Sequence, residues 1–201
     1  ANTTGALTKI GSGTLTLGGS NQYTGATTIN AGTLSVATIG NGGVAGNLGQ
    51  ATNAAGNIVI GGGTLQYTGS TASTDRAFTL TASTTGTIDV TQSGTTLTIS
   101  GASANTTGAL TKIGSGTLTL GAANLYTGLT TVTAGTLTEG IANALSSGAL
   151  TVNGGTFNIG TYSDTVGAVT IGANGGTISG TTGVLTGTSY TFNNTTTATV
   201  S

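Results

Sequence analysis

The sequence predicts an all-β chain, a right-handed parallel β-helix of about nine turns of roughly 20 residues each. Three observations lead there. The tripeptide Gly-Thr-(Leu/Ile/Phe) opens at Gly13, Gly32, Gly63, Gly86, Gly116, Gly135, Gly155 and Gly176, with gaps of 19, 31, 23, 30, 19, 20 and 21 residues. A recurrence near 20 is the length of one solenoid turn, and the gaps of 31 and 30 read as turns carrying an insertion or a skipped signature. Around each tripeptide polar and apolar residues alternate with period two, as in Thr14-Leu15-Thr16-Leu17, which is the pattern of a half-buried strand and not of a helix. The composition agrees: of 201 residues 50 are Thr and 38 Gly, with no Pro and 3% charged. A β-branched uncharged side chain fits a pleated outer face, whereas like charges stacked in register repel.

The elements follow in order. The tripeptide strands, stacked in register, put Leu15, Leu34, Leu65, Ile88, Leu118, Leu137, Phe157 and Ile178 in one inward column. Thr14, Thr33, Thr64, Thr87, Thr117, Thr136, Thr156 and Thr177 then form one outward ladder, and neither column is interrupted. A second strand per turn is expected at Thr27-Thr28-Ile29, Ile58-Val59-Ile60, Phe78-Thr79-Leu80, Leu150-Thr151-Val152 and Val169-Thr170-Ile171. Steps such as Asn41-Gly42, Asn153-Gly154 and Asn174-Gly175 supply the corners, because glycine accepts positive φ at no steric cost. Glu139 breaks the pattern by falling in the inward slot that Leu17, Val36, Val90, Leu120 and Ile159 fill elsewhere. Either that strand ends at Thr138 or the side chain swings out at a bend. One turn cannot bury its own apolar face, so only the stack closes a core, and nine rungs at ~4.8 Å make a rod about 45 Å long.

A larger repeat overlies the turns. Residues 2–18 recur unchanged at 105–121, an offset of 103, and 19–34 recur as 122–137 with 10 of 16 positions identical. The expectation is one β-helix domain over 1–201 made of two units, 1–103 and 104–201, and excerpted from a longer array. The segments Leu7-Thr-Lys-Ile-Gly-Ser-Gly-Thr-Leu-Thr-Leu17 and Asn21-Gln-Tyr-Thr-Gly-Ala-Thr-Thr-Ile-Asn-Ala-Gly-Thr-Leu34 closely resemble the passenger-associated transport repeat, also called the autotransporter-associated β-strand repeat. The second copy resembles it again at 110–137. The resemblance implies a right-handed β-helix in the passenger of an autotransporter, exported through an outer membrane, and it implies no catalytic residues.

The residues that could carry chemistry are few. His, Cys, Met and Trp are absent, and three basic residues cannot build a phosphate-neutralising patch, so nucleic acid is not an expected partner and no segment is long and apolar enough to insert in a membrane. Asp75-Arg76 reads as a solvated loop pair, Asp89 as an outward surface carboxylate, Asp164 as a turn-capping residue, and Lys9 and Lys112 as one strand-edge or ladder position used twice. Tyr23 and Tyr126 share an Asn-x-Tyr-Thr-Gly corner, where packing over the turn is expected. Gly40-Asn-Gly42-Gly-Val-Ala45 has a loose dinucleotide-loop spacing without the strand, helix or basic residue such a loop needs. Asn2, Asn105, Asn193 and Asn194 open Asn-x-Thr triplets that accept glycans only in a host with that machinery. Thr-x-Thr pairs (Thr14/Thr16, Thr79/Thr81, Thr96/Thr98, Thr117/Thr119) invite comparison with ice-binding solenoids. Beside the Thr ladder, however, stand Thr16, Ser35, Gln66, Asp89, Thr119, Thr138, Asn158 and Ser179, which spoil a flat two-column array.

No catalytic, cofactor-binding or metal-binding residue is therefore expected, and no cofactor. The expected function is structural: an extracellular β-helical rod or filament segment at a bacterial surface, stacking end to end with itself or continuing in the same polypeptide. An adhesin passenger region that binds host or surface glycans is the alternative, and an ice-binding or polysaccharide-acting β-helix a second one.

Overall fold

A computed structural model describes residues 4–201. Among them are twenty-two short strands and one 3-10 turn, Ala55–Asn57. In chain order the strands are β1 (Leu7–Lys9), β2 (Thr14–Leu17), β3 (Thr27–Ile29), β4 (Thr33–Val36), β5 (Ile58–Ile60), β6 (Thr64–Tyr67), β7 (Ala72–Thr74), β8 (Thr79–Leu80), β9 (Thr85–Val90), β10 (Thr96–Ile99) and β11 (Ala109–Ile113). They continue as β12 (Thr117–Leu120), β13 (Thr130–Val132), β14 (Thr136–Glu139), β15 (Leu150–Val152), β16 (Thr156–Gly160), β17 (Asp164–Val166), β18 (Val169–Ile171), β19 (Gly176–Gly180), β20 (Leu185–Gly187), β21 (Tyr190–Phe192) and β22 (Ala198–Val200).

Among the described residues the named strands pair in parallel, with one isolated antiparallel bridge between Asn21 and Gly46, and the pairing makes a β-solenoid with three faces. The first face holds nine strands in the order β2-β4-β6-β9-β11-β13-β15-β18-β21, and the second holds seven, β7-β10-β12-β14-β16-β19-β22. The third consists of β1-β3-β5-β8 and, further on, β17-β20. Between those two groups the backbone hydrogen bonds Ala104 to Phe78 (2.9 Å), Thr127 to Thr106 (2.7 Å) and Gly167 to Gly148 (2.9 Å) carry the stack forward. The interior is one connected apolar cluster, with Leu34, Ile60, Leu80, Ile88, Leu118 and Val152 completely buried.

The two sequence copies do not sit alike on this scaffold. In the first copy, Leu7–Lys9 lies on the third face and Thr14–Leu17 on the first, where they pair with β3 and β4. In the second copy the identical segment places β11 on the first face, against β9, and β12 on the second, against β10. The repeat has thus advanced by a whole number of rungs plus one face. Strand sequence encodes which side chains point inward, through period-two alternation, but carries nothing that names a face. The number of residues between copies decides that.

This corrects the two uninterrupted columns read from the tripeptides. The inward column of the first face runs Leu15, Leu34, Leu65 and Ile88, then passes to Lys112, Val132, Val152, Ile171 and Phe192. Leu118, Leu137, Phe157 and Ile178 belong to the second face, below Leu97 and above Val200. The gap of 31 residues is indeed one rung with an insertion, since β4 pairs β6 directly. The gap of 30 is different: it is a full turn plus one face, because β9 is followed on its own face by β11 and not by β12.

The glycine that opens several of the tripeptides has a steric reason. A Cβ on Gly116 would stand 2.6 Å from the Val90 Cγ1 atom and 2.6 Å from the Gln92 carbonyl oxygen, and one on Gly63 would stand 2.6 Å from the Ile29 Cγ2 atom. The corner backbone passes directly over an inward side chain of the rung beneath, and only a residue without Cβ allows that approach.

Candidate functional site

The charged residues, read from sequence as surface groups, are largely inside. Lys112 is fully buried and Lys9 nearly so. Each lies in the inward column of its strand, Lys9 above Ile29 and Lys112 between Ile88 and Val132. The Lys112 ammonium donates to the carbonyls of Ile113 (2.6 Å), Gly114 (2.9 Å) and Ala134 (3.3 Å). Lys9 makes the same three bonds one repeat earlier, to Ile10 (3.0 Å), Gly11 (2.6 Å) and Ala31 (3.1 Å). The expected edge or ladder role is therefore replaced by a corner plug, in which an ammonium satisfies carbonyls that the bend turns inward. Burial pulls the Lys112 ammonium down to about 8, against the opposing attraction of Asp89.

Asp89 points outward in the alternation, yet neighbours cover it. One oxygen accepts from the Gln66 amide at 2.9 Å, and the other is buried without a partner. Arg76 departs furthest from the solvated loop pair expected for it. It is 2% exposed, and its guanidinium donates to the carbonyls of Gly40, Ala51 and Gly49 at 2.9, 3.1 and 2.9 Å and, at longer range, to those of Asn41 and Val44. The glycine-rich stretch from Gly40 to Ala45 is thus folded around an arginine as part of the inserted loop. Asp75 ties down the same loop by accepting from the Gly42 backbone at 2.7 Å.

Among the described residues Glu139 and Asp164 form one buried acid pair. Contrary to both expectations for it, β14 runs through Glu139, and the side chain stays in the inward slot next to Leu120. It is 2% exposed, and neither carboxyl oxygen meets a hydrogen-bond partner of normal geometry. Asp164 is an inward residue of β17 and not a turn cap, with one oxygen accepting from the Leu145 backbone at 2.8 Å. Burial first, and then the adjacent Asp164 carboxyl, push Glu139 up to about 10, so at neutral pH it is an uncharged acid. The corner tyrosines behave as expected of packing residues. Tyr126 is completely buried, and its hydroxyl meets the Thr130 hydroxyl at 2.6 Å, as Tyr23 meets Thr27 at 2.7 Å.

A signal for these inward charges does exist in the sequence. Thr74, Arg76, Phe78 and Leu80 alternate as a single inward set, all at most 2% exposed, and the same period-two count puts Lys112 with Leu110 and Glu139 with Leu137. The general rarity of buried charge argues against following the pattern there. At the basic positions the pattern wins because bent corners offer carbonyls to hold a cation, and at Glu139 because the carboxyl keeps its proton.

The outer faces also differ from the expected ladder. On the first face one threonine per rung stands in register through nine rungs: Thr14, Thr33, Thr64, Thr87, Thr111, Thr131, Thr151, Thr170 and Thr191. Its neighbouring column is mixed: Thr16, Ser35, Gln66, Asp89, Ile113. The second face carries two regular columns. One is Thr96, Thr117, Thr136, Thr156, Thr177 and Thr199, and beside it runs Ser73, Thr98, Thr119, Thr138, Asn158 and Ser179. Gln66 and Asp89, which spoil the second column when all tripeptides are stacked together, are on the other face.

Among the described residues no three His, Cys, Asp or Glu side chains come together as metal ligands, and no helix is long and apolar enough to cross a membrane. Asn105 and Asn193 are exposed and Asn194 half-buried, while Asn2 lies outside the described residues.

These features define a Thr- and Gly-rich parallel β-solenoid whose charges are internal fasteners. Residues 7–36 and 110–138 match the Passenger-associated-transport-repeat, so the chain carries that repeat twice, at two positions around the solenoid. A stretch of 75 residues, 37% of the chain, is 53% identical to the adhesin BmaC autotransporter of Brucella suis biovar 1 (strain 1330), and this stretch spans 2% of that protein. No solved structure matches the chain.

Proposed function

We propose that the chain is a length of an extracellular β-helical rod, part of an autotransporter-like passenger at a bacterial surface, with a structural and not an enzymatic role. The observation that carries this reading is the first-face sheet, which passes from β9 of one sequence unit to β11 of the next without a break in register. That continuity supports one domain over both units. The two transport repeats and the autotransporter relative support surface display. The buried ionisable groups are spent on corners and core.

The rod continues along its axis, either as further polypeptide or as a second copy set end to end. At the last rung Leu185, Tyr190, Phe192 and Val200 surround an apolar cavity of about 170 Å³, and the last three are more than half exposed. At the opposite end Leu7, Leu15 and Leu17 are only partly covered. A second copy set on this axis brings β1 under β20 on the third face and β2 under β21 on the first. Open head-to-tail contacts of this kind build fibres and not rings. Electron microscopy of the purified chain tests the reading: fibres with an axial repeat of about 45 Å are expected, and short rods that remain monodisperse at high concentration would refute stacking.

A second reading, adhesion to host or surface glycans, is favoured by the relative's description as an adhesin. Binding of the chain to a glycan array would distinguish it from a pure spacer.

A further inference from the structure

We propose that the second face of the solenoid is an ice-binding surface. Its centre is a block of six threonines, three rungs by two columns: Thr96 and Thr98, Thr117 and Thr119, Thr136 and Thr138. The columns continue through Thr156 and Thr177 on one side and Ser73 and Ser179 on the other. The rung spacing fixes neighbours at ~4.8 Å along the axis, and alternate residues of a strand stand ~6.7 Å apart across it. The result is a rigid two-dimensional grid of hydroxyl and methyl groups.

Corner and inward threonines use their hydroxyls internally: those of Thr106, Thr84 and Thr133 donate to carbonyls of Leu80, Thr81 and Lys112, and Thr74 donates to Gly40. The outward threonines of both faces keep theirs turned to solvent, and the second face alone sets them in two adjoining columns. None of the six central threonines directs its hydroxyl to a protein partner, and all are partly exposed. Burial of the inward Leu97, Leu118 and Leu137 beneath them locks the strand positions, so the grid is set before anything binds.

The chemistry of the face selects among ordered partners. A mineral surface needs charge, and the columns carry none. A polysaccharide site is usually built on aromatic platforms with polar groups placed around them, and no aromatic side chain lies in either column. The strand edges are already paired within the sheet, so another polypeptide finds no free ladder to extend. Ordered water asks only for regularly spaced hydroxyls flanked by methyls that leave the first water layer unperturbed. The rung and cross-strand spacings are close to the oxygen repeats on a prism face of ice. The first face supplies an internal contrast, because its long single ladder runs beside a column containing Gln66, Asp89 and Ile113.

The test uses the whole chain and two outward variants of equal chemistry, Thr119→Lys in the grid and Thr131→Lys on the first face. Circular dichroism and melting first establish that both fold as the parent does. Thermal hysteresis and partition into a slowly growing ice front are then read. The parent is expected to shape ice, show hysteresis and enter the ice; Thr119→Lys loses these activities, and Thr131→Lys keeps them. Exclusion of the folded parent from ice, equal behaviour of the two variants, or retention on insoluble cellulose or chitin without any effect on ice would overturn the proposal. Should Thr119→Lys fail to fold, Thr117→Lys takes its place, and the parent measurement decides the matter alone.

Discussion

Glu139 is the residue at which pattern and chemistry compete most openly. Alternation along β14 puts it inside, and the core offers its carboxyl a second acid and no donor. The chain resolves the conflict by keeping the proton. Its ordinary value is 4.5 and its folded value about 10, so between these limits the folded chain holds a proton that the unfolded chain has released. Stability must then fall as pH rises from about 4.5, with a limiting slope of about 1.4 kcal/mol per pH unit for one proton. Lys112 acts in the opposite sense. Its folded value of about 8 lies below its ordinary 10.5, and stability is regained between those two pH values. Melting temperatures measured from pH 5 to 8 should decline for the parent and stay flat for Glu139→Gln, with the variant the more stable at pH 8. A parent profile that rises over this range would show that Glu139 is ionised in the fold. The inward place of Glu139 was legible from Leu137-Thr138-Glu139. What was not legible was a neighbour 25 residues away, Asp164, whose carboxyl only the stacking of rungs brings near.

At the scale of the strand and its corner, the sequence reading located the tripeptide strands and their inward and outward sides correctly. It failed on which strand lies over which. The cause is physical: each Gly-Thr-Leu strand is equally suited to the first or the second face, and the intervening residue count is the only instruction. Stacking all tripeptides together merged two faces into one ladder and hid the two-column grid. The role of the opening glycine, by contrast, follows from its place in the stack and yields a comparison within one motif. A Cβ at Gly116 meets Val90 and the backbone of Gln92, whereas a Cβ at Gly13 meets nothing within 4 Å. Gly116→Ala should cost about 1–3 kcal/mol, as overpacking does, and Gly13→Ala should be close to neutral. Equal losses for the two on urea unfolding would mean that backbone conformation, and not the rung below, demands glycine there.

For the whole molecule, one rule generates most of what is seen: parallel rungs in three faces, apolar or internally bonded side chains within, hydroxyls without. The scarcity of surface charge follows, since most outward positions stand in columns of uncharged hydroxyl residues. The family resemblance read from residues 7–34 and 110–137 agrees with the matched repeats at 7–36 and 110–138. Reach along the axis and a regular outer face are the properties that the proposed functions draw on, and the two-column face depends on the one-face advance of the second repeat. That advance can be measured directly, because the chain has no cysteine to interfere. Thr87 is in register with Thr111 on the first face, whereas stacking the tripeptides would put it beside Thr117. Adjacent parallel strands bring Cα atoms within the ~4.4–6.8 Å that a disulfide needs. Oxidation of the Thr87→Cys/Thr111→Cys variant should therefore give a cross-linked monomer in high yield, and the Thr87→Cys/Thr117→Cys variant should remain reduced. The reverse outcome would contradict the solenoid described here and restore a single ladder of tripeptides.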